Sequence, residues 1–351
     1  MKFCPQCGYS LPFDSARFCP QCGARIPDSF SSDRADSSKM SDCLGDINDE
    51  IAALEDELKE MRPAMNMHSY NPHKHYWDEL SGLVGLKEVK TVIRNHITDY
   101  RVQMMRKRKH KDLIVTSPFN CIFTGNPGTG KTTVARIIAG IMKEEGIIPK
   151  GNCLEMDASS ITSGWVGFSS KFTRLAALKS LDGVLFIDEA YSLMNAQGRK
   201  GGLGKEVIDT LTPLMENYRN RLTVIFAGYD TEIREMLENT NPGFASRFNT
   251  TVHFEDYTVE EMMDIFLILM RKDYYILESD AQGRLYSLLQ FVYDNKLQNS
   301  RFANARTVRS IFEAVRAKHA SRVQHCKKEL DLIRKEDIEL TFNELKSIGA
   351  V

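Results

Sequence analysis

Residues 125–132 read GNPGTGKT, a glycine-rich turn closed by a lysine and a hydroxyl-bearing threonine. Those residue types at that spacing suit the surrounding of a chain of phosphates. Gly128 and Gly130 accept backbone angles that bulky residues resist, so the turn can aim its N–H groups inward as an anion nest. Lys131 can reach the outer phosphates, and the Thr132 hydroxyl can ligate Mg²⁺. Gly125, Asn126, Pro127, Thr129 and Thr133 complete the candidate binding set. The competing reading is a glycine-rich turn that binds nothing.

A second group could do the chemistry that such a loop needs. In GVLFIDEAYSL, four apolar residues deliver Asp188 and Glu189 to the end of a run that reads as a buried strand. Two adjacent carboxylates there are costly unless a cation joins them. Asp188 then holds Mg²⁺, and Glu189 polarises the water that attacks the terminal phosphate. A solvated loop pair is the alternative. Two arginines could answer charge on a transferring phosphoryl group: Arg247 in NPGFASRF and Arg306 in FANARTVRS. Spacing alone leaves each equally readable as a surface ion-pair residue.

These residues need a scaffold, and the pattern supplies one. FNCIF before the loop reads as a strand, and TVARIIAGIMKEEG after it as a helix, which adds its positive N-terminal end to the nest. In all, five strands are expected, at 119–124, 153–156, 184–188, 222–227 and 251–254. The runs at 184 and 222 are nearly all apolar, as strands buried on both faces of a parallel sheet are. From Thr258 onward the chain reads as all helix, opened by a capping box of Thr258 with Glu261.

Ahead of this lies a different composition. CPQCG occurs twice in the first 23 residues, so Cys4, Cys7, Cys19 and Cys22 form two Cys-x-x-Cys knuckles. That is a Cys₄ zinc pattern, and a segment of about 25 residues cannot fold on a hydrophobic core alone. A redox pair is the alternative. The other four cysteines read as structural or incidental thiols. Residues 28–45, rich in Ser and Asp, read as a flexible linker. Apolar residues at Ile47, Ile51, Leu54, Leu58 and Met61 predict a helix over 46–62, either packed on a neighbour or zipping subunits together. The expected organisation is 1–27 zinc ribbon, 28–45 linker, 46–62 amphipathic helix, 70–257 α/β domain and 258–351 helical domain.

Bulk properties exclude little but set the class. The chain has 351 residues, 42% hydrophobic and 26% charged, with a formal net charge of −1. No whole-molecule charge draws it to nucleic acid. The basic stretch at 101–112 is a local exception, read as a solvated helix end or loop, or as a contact for nucleic acid or an acidic partner. The longest apolar run, residues 265–270, is far short of the ~18 residues a spanning helix needs, so a cytoplasmic protein is expected.

Taken together, LVGLKEVK, FTGNPGTGKTTVAR, GWVGF, GVLFIDEAYSL, VIFAGY, NPGFASRF and FANARTVR resemble AAA+ ATPases of the CbxX/CfqX family. That group includes the red-type Rubisco activases, stage V sporulation protein K and EccA. The resemblance covers residues 76–345. It implies an α/β P-loop fold with a RecA-like five-stranded parallel sheet, a helical lid and a ring homo-oligomer, usually a hexamer. It implies Mg²⁺-dependent hydrolysis of ATP at Lys131, Thr132, Asp188 and Glu189. Arg247 becomes a finger entering the neighbouring subunit's site, Arg306 the sensor 2 arginine of the lid, and Val84 and Gly85 part of the adenine pocket. The sensor at the end of the fourth strand is left between Tyr229 and Asp230. Trp165, Val166 and Gly167 take the place of an aromatic pore loop that grips a protein client; a core aromatic is the alternative. The implied function is ATP-driven protein remodelling. A nucleic-acid motor or loader and an ATP-switched scaffold are the alternatives.

Overall fold

A computed structural model describes residues 37–59, 65–113, 115, 119–162, 168–195, 202–296, 302–324 and 329–347, with backbone alone for 37–45. The elements in chain order are α1 (Ser37–Glu57), β1 (Met65–His68), α2 (Tyr76–Gly82), α3 (Lys87–Lys109), β2 (Cys121–Gly125), α4 (Lys131–Glu144), β3 (Cys153–Asp157), α5 (Ala158–Thr162), α6 (Phe168–Lys179) and β4 (Gly183–Asp188). There follow α7 (Ser192–Asn195), α8 (Leu203–Asn217), β5 (Leu222–Gly228), α9 (Asp230–Glu238), α10 (Pro242–Ala245), β6 (Thr250–Phe254), α11 (Val259–Lys272), β7 (Ile276–Leu277), α12 (Ala281–Asp294), α13 (Ala305–Val323), β8 (Leu332–Ile333) and α14 (Lys335–Ser347).

The chain divides into two compact units. The first gathers the described residues of Met1–Ser81, Glu88–Thr124 and Thr132–His253; the second those of Gly82–Lys87, Gly125–Lys131 and Phe254–Val351. The α/β part was expected over 70–257, so three short segments depart from that plan: residues 82–87, the phosphate loop at 125–131 and residues 254–257 group with the helical unit. Hydrogen bonds with Asp256, Tyr257, Asn304 and Ala305 hold the loop there.

The first unit is built on a sheet in the order β1-β3-β4-β5-β2-β6. Strands β2, β3, β4 and β5 pair in parallel, as the apolar runs predicted. Every residue of β5 is buried, as is β4 up to Ile187, because helices must cover both faces of such a sheet. The five expected strands are all present, and among the described residues β1 adds a sixth. Strand β1 pairs antiparallel with β3 at the edge. Its four residues, MNMH, carry no β-branched or aromatic side chain and too short a pattern to read.

Helix α4 packs Val134, Ala135, Ile137, Ile138, Ile141 and Met142 into the interior. Gly140 is required there: a Cβ would stand 2.2 Å from the Tyr76 ring. Tyr76 N and Trp77 Nε1 donate to Glu144 and Glu145 at the end of the same helix, pinning α2 to α4.

Helix α1 starts nine residues before the expected 46, so the segment 37–45 of the expected linker is helical. In the sequence, Met40 and Leu44 continue the four-three spacing of Ile47, Ile51, Leu54 and Leu58 backward, which explains the early start. The helix lies on α6. Leu58 is fully buried, Ile47, Ile51 and Leu54 pack on the same core, and Glu50, Glu55 and Glu57 pair with Arg174, Lys179 and Lys171. Full burial of a leucine like Leu58 contributes about 1.5–3 kcal/mol. The apolar stripe is therefore spent within the chain.

The second unit has its own core, centred on Met262, Phe266, Leu285, Leu288, Leu289, Val308, Val315, Ile338 and Phe342. Thr258 and Glu261 form the expected capping box at the start of α11. The all-helix expectation misses the short parallel pair β7–β8, whose two-residue strands fall below any readable period. The basic residues 106–109 fill the last turn of α3, where cations face the carbonyl end of the helix.

Candidate active site

The sheet's register sets the site. Asp157 lies beside Asp188, Ile187 beside Phe226, and Gly228 beside Thr124, so the carboxyl ends of β3, β4, β5 and β2 form one edge. Open α/β sheets bind ligands at that edge. The phosphate loop leaves the sheet there from β2, and the acidic pair leaves it from β4. Asn120 anchors β2 from its other end: its buried Oδ1 accepts from Val224 N at 2.8 Å.

In the acidic turn, Asp188 Oδ1 accepts from Glu189 N at 3.0 Å. Ala190 N donates to Ala227 O at 2.9 Å and fixes the turn to β5. Glu189 is exposed and has φ +50°, a left-handed conformation that costs a non-glycine residue on the order of 1 kcal/mol. Strain of this kind persists where the surroundings over-determine it, as at catalytic turns.

Tyr191 follows the pair, and nothing in the sequence singled it out. Burial, then the charges of Glu189, Tyr229, Glu232 and Asp188, push its phenol up to about 12, so it stays neutral beside the carboxylates. Its ring packs on Tyr229 with centroids 5.5 Å apart. Asp230, the other sensor candidate, instead pairs with Arg234 at 3.0 Å and lies 3.9 Å from His253 Nδ1. His253 Nδ1 in turn sits 3.0 Å from Thr124 Oγ1, the residue before the loop.

The loop belongs to the second unit. Gly125, Gly128 and Gly130 have φ of +139°, +73° and +100°, the angles for which glycine was expected at the last two. Lys131 Nζ donates to Gly125 O at 2.8 Å and Asn126 O at 2.9 Å, so its chain lies along its own loop. Tyr257 OH donates to Thr129 O at 3.1 Å, and Ala305 N to Gly128 O at 3.2 Å. Asn126 Nδ2 donates to Asp256 Oδ1 at 2.9 Å, and Asn304 Nδ2 to Pro127 O at 3.2 Å. Gly85, from the segment with Val84, has φ +61°; a Cβ there would meet the Glu261 carboxylate at 2.4 Å.

Arg247 follows α10, whose N-cap Asn241 accepts from Gly243 N. Phe226, Phe244 and Phe248 cluster with centroids 5.1–5.5 Å apart and fix the segment to β5. Arg247 Nε and Nη1 donate to Thr212 O and Gly243 O, and Nη2 lies 3.4 Å from Glu216. Arg306 is exposed in the first turn of α13.

The donors near the sheet edge suit Mg²⁺. The Thr132 hydroxyl and the Asp188 carboxylate are hard oxygens, and Mg²⁺ takes one or two such ligands together with substrate phosphates. Among the described residues no group of three or more His, Cys, Asp and Glu is placed to hold a metal. Cys4, Cys7, Cys19 and Cys22 lie outside the described residues, as do Trp165, Val166 and Gly167. Burial raises the Cys121 and Cys153 thiols far above their usual range, which makes both inert. Among the described residues no helix is long and apolar enough to cross a membrane.

Comparison with known proteins agrees with this geometry. Residues 121–256 match the ATPase family associated with various cellular activities (AAA), and residues 258–348 match the AAA lid domain. Stage V sporulation protein K of Bacillus subtilis (strain 168) is 36% identical over 267 residues, which cover 75% of this chain and 81% of that protein. The chloroplastic ribulose bisphosphate carboxylase/oxygenase activase of Cyanidioschyzon merolae is 35% identical over 242 residues, 69% of this chain and 80% of that one. Among solved structures, the FIGL-1 AAA domain superposes with a TM-score of 0.57 at 19% identity, over 89% of this chain and 92% of that one, a likeness of fold.

Proposed function

The chain belongs to the AAA family of ATPases, in the CbxX/CfqX group, and on that footing we propose that it couples ATP hydrolysis to the pulling of a protein client through a ring of identical subunits, most simply a hexamer. Hydrolysis of ATP comes with the family. The observation that carries the site is the common edge at which the phosphate loop and the Asp188–Glu189 turn leave the sheet.

In this reading the loop amides and Lys131 hold the phosphates. Thr132 and Asp188 would hold Mg²⁺, which when bound neutralises charge on the phosphate oxygens. Glu189 orients the attacking water and accepts its proton. Arg247 reaches the site of the adjacent subunit, Arg306 answers phosphate charge from the lid, and Val84 and Gly85 border the adenine. Tyr229, backed by Tyr191, fits the sensor position better than Asp230, whose carboxylate is engaged by Arg234.

Trp165, Val166 and Gly167 supply the grip: an aromatic between small and apolar neighbours holds extended chains with little side-chain specificity. Replacing Trp165 with Ala leaves basal turnover within about twofold and removes stimulation by the client. Combined loss of turnover and assembly would make Trp165 a structural residue instead.

Cys4, Cys7, Cys19 and Cys22 would bind one Zn²⁺ in a closed tetrahedral site, with all four positions taken and none open for catalysis. Such an ion supplies a small domain with folding free energy, so the segment serves as an adaptor. Elemental analysis should find one zinc per chain, and none in a Cys4→Ser/Cys22→Ser variant. Zinc retained by that variant would contradict the assignment. The exposed basic end of α3 favours a second reading, nucleic-acid binding. Stimulation of turnover by DNA with a steep salt dependence is the result that would establish it.

A further inference from the structure

We infer that Asn304 is a positioning residue that ties the phosphate loop to the helix carrying Arg306, so that the two move as one body. The inference deepens the ATPase reading and rests on it for its kinetic consequence. Asn304 is fully buried, with φ +48° and ψ −123°. An L side chain rarely adopts that conformation, and glycine is the residue it suits. The amide must therefore be there for what it bonds.

It bonds on three sides. Nδ2 donates to Pro127 O at 3.2 Å and to Asp256 Oδ1 at 2.8 Å, and Oδ1 accepts from Tyr257 N at 3.0 Å. Asp256 Oδ1 also accepts from Asn126 Nδ2, and its other oxygen faces Lys296 Nζ at 3.5 Å. One carboxylate thus holds the loop and the helix start together. The Asn304 main chain does the remaining work: its carbonyl accepts from Val308 N at 3.1 Å and opens α13, two residues before Arg306. The next residue, Ala305, donates its N–H to Gly128 O. The fit leaves no slack. A Cβ on Gly128 would lie 2.0 Å from Ala303 O and 3.2 Å from Arg306 N. A shift of residues 126–129 when phosphates arrive must move 303–306 with it, and a shift of α13 must move the loop.

Hydrogen exchange on the full chain without nucleotide tests the link directly. Asn304→Gly keeps the backbone conformation and deletes the amide. Its expected effect is at least a tenfold rise in exchange at 128–132 and 305–308 together, with α12 changed less than about twofold. In ATP turnover, Asn304→Gly should raise KM at least tenfold with kcat changed by less than about threefold. Added to Arg306→Ala, it should raise KM little further, because an uncoupled Arg306 has little left to lose. Asp256→Ala should reproduce Asn304→Gly and serves as the second variant if that one fails to fold. Exchange rising evenly through the helical unit, unchanged exchange in the loop, or KM factors that simply multiply would each overturn the inference. A wild-type chain that fails to turn ATP over would overturn the ATPase reading, and the exchange result would still decide the link.

Discussion

Glu189→Gln is expected to lower ATP turnover by about 10²–10⁴-fold while ATP still binds. The change removes one negative charge and the proton-accepting capacity of the side chain, and leaves its length and hydrogen-bonding shape. The main-chain bonds that shape the turn remain. Asp188 Oδ1 still accepts from the residue-189 N–H, Ala190 N still donates to Ala227 O, and the side chain at 189 is exposed in the native chain. The thermal midpoint should therefore change little, and ATP affinity should hold or improve. The neighbouring Asp188 side chain is untouched by the change and keeps its oxygens for a cation. Single-turnover kinetics with an ATP-binding titration separate the two effects. Turnover at the normal rate would remove Glu189 from the water-activating role. On the proposed function, the variant also gives a route to the client, because the proposed ring stalled with ATP should retain it.

The second large effect belongs to Arg247. Arg247→Ala should lower kcat by about 10³–10⁵-fold with KM for ATP within about threefold, as for removal of an arginine that acts on the transition state alone. In the single chain its guanidinium rests on Thr212 O and Gly243 O and faces Glu216, with the side chain 24% exposed. Those contacts place it on a rigid root, between α8 and the cluster of Phe226, Phe244 and Phe248. They also define the competing role. A brace between α8 and α10 would show its loss as a lower thermal midpoint, with turnover falling only as folded protein is lost. Arg247→Lys separates the two roles again. It keeps the charge but cannot span two carbonyls and a phosphoryl oxygen with a planar fork, so turnover should remain low.

The parts of the site that sequence made legible are those set by local chemistry. The loop glycines need positive φ, and they have it. The runs behind Asp188 and Gly228 are apolar because both faces of the sheet are covered, and that fixed where the acidic pair would emerge. Thr258 and Glu261 cap α11 through contacts three residues apart, a distance a sequence pattern can carry. Other parts depend on long-range contact. The phosphate loop groups with the lid because Asn304 reaches Pro127, 177 positions away, and no local period encodes that bond. Tyr191 matters through its ring contact with Tyr229, on a different strand end. Strand β1 exists only because β3 offers it an edge. The early start of α1 was within reach: its spacing ran through residues whose Ser and Asp content had read as linker.

On the proposed function, Glu189 and Arg247 serve one site from two neighbouring subunits. Mixing Glu189→Gln with Arg247→Ala tests it most directly. Each variant alone should be inactive. In an equimolar mixture, an Arg247→Ala subunit keeps its own Glu189 and can take Arg247 from a Glu189→Gln neighbour. Random assembly should then restore turnover at roughly a quarter of the sites. A mixture as inactive as its components, with both variants shown to share the same rings, would contradict the account.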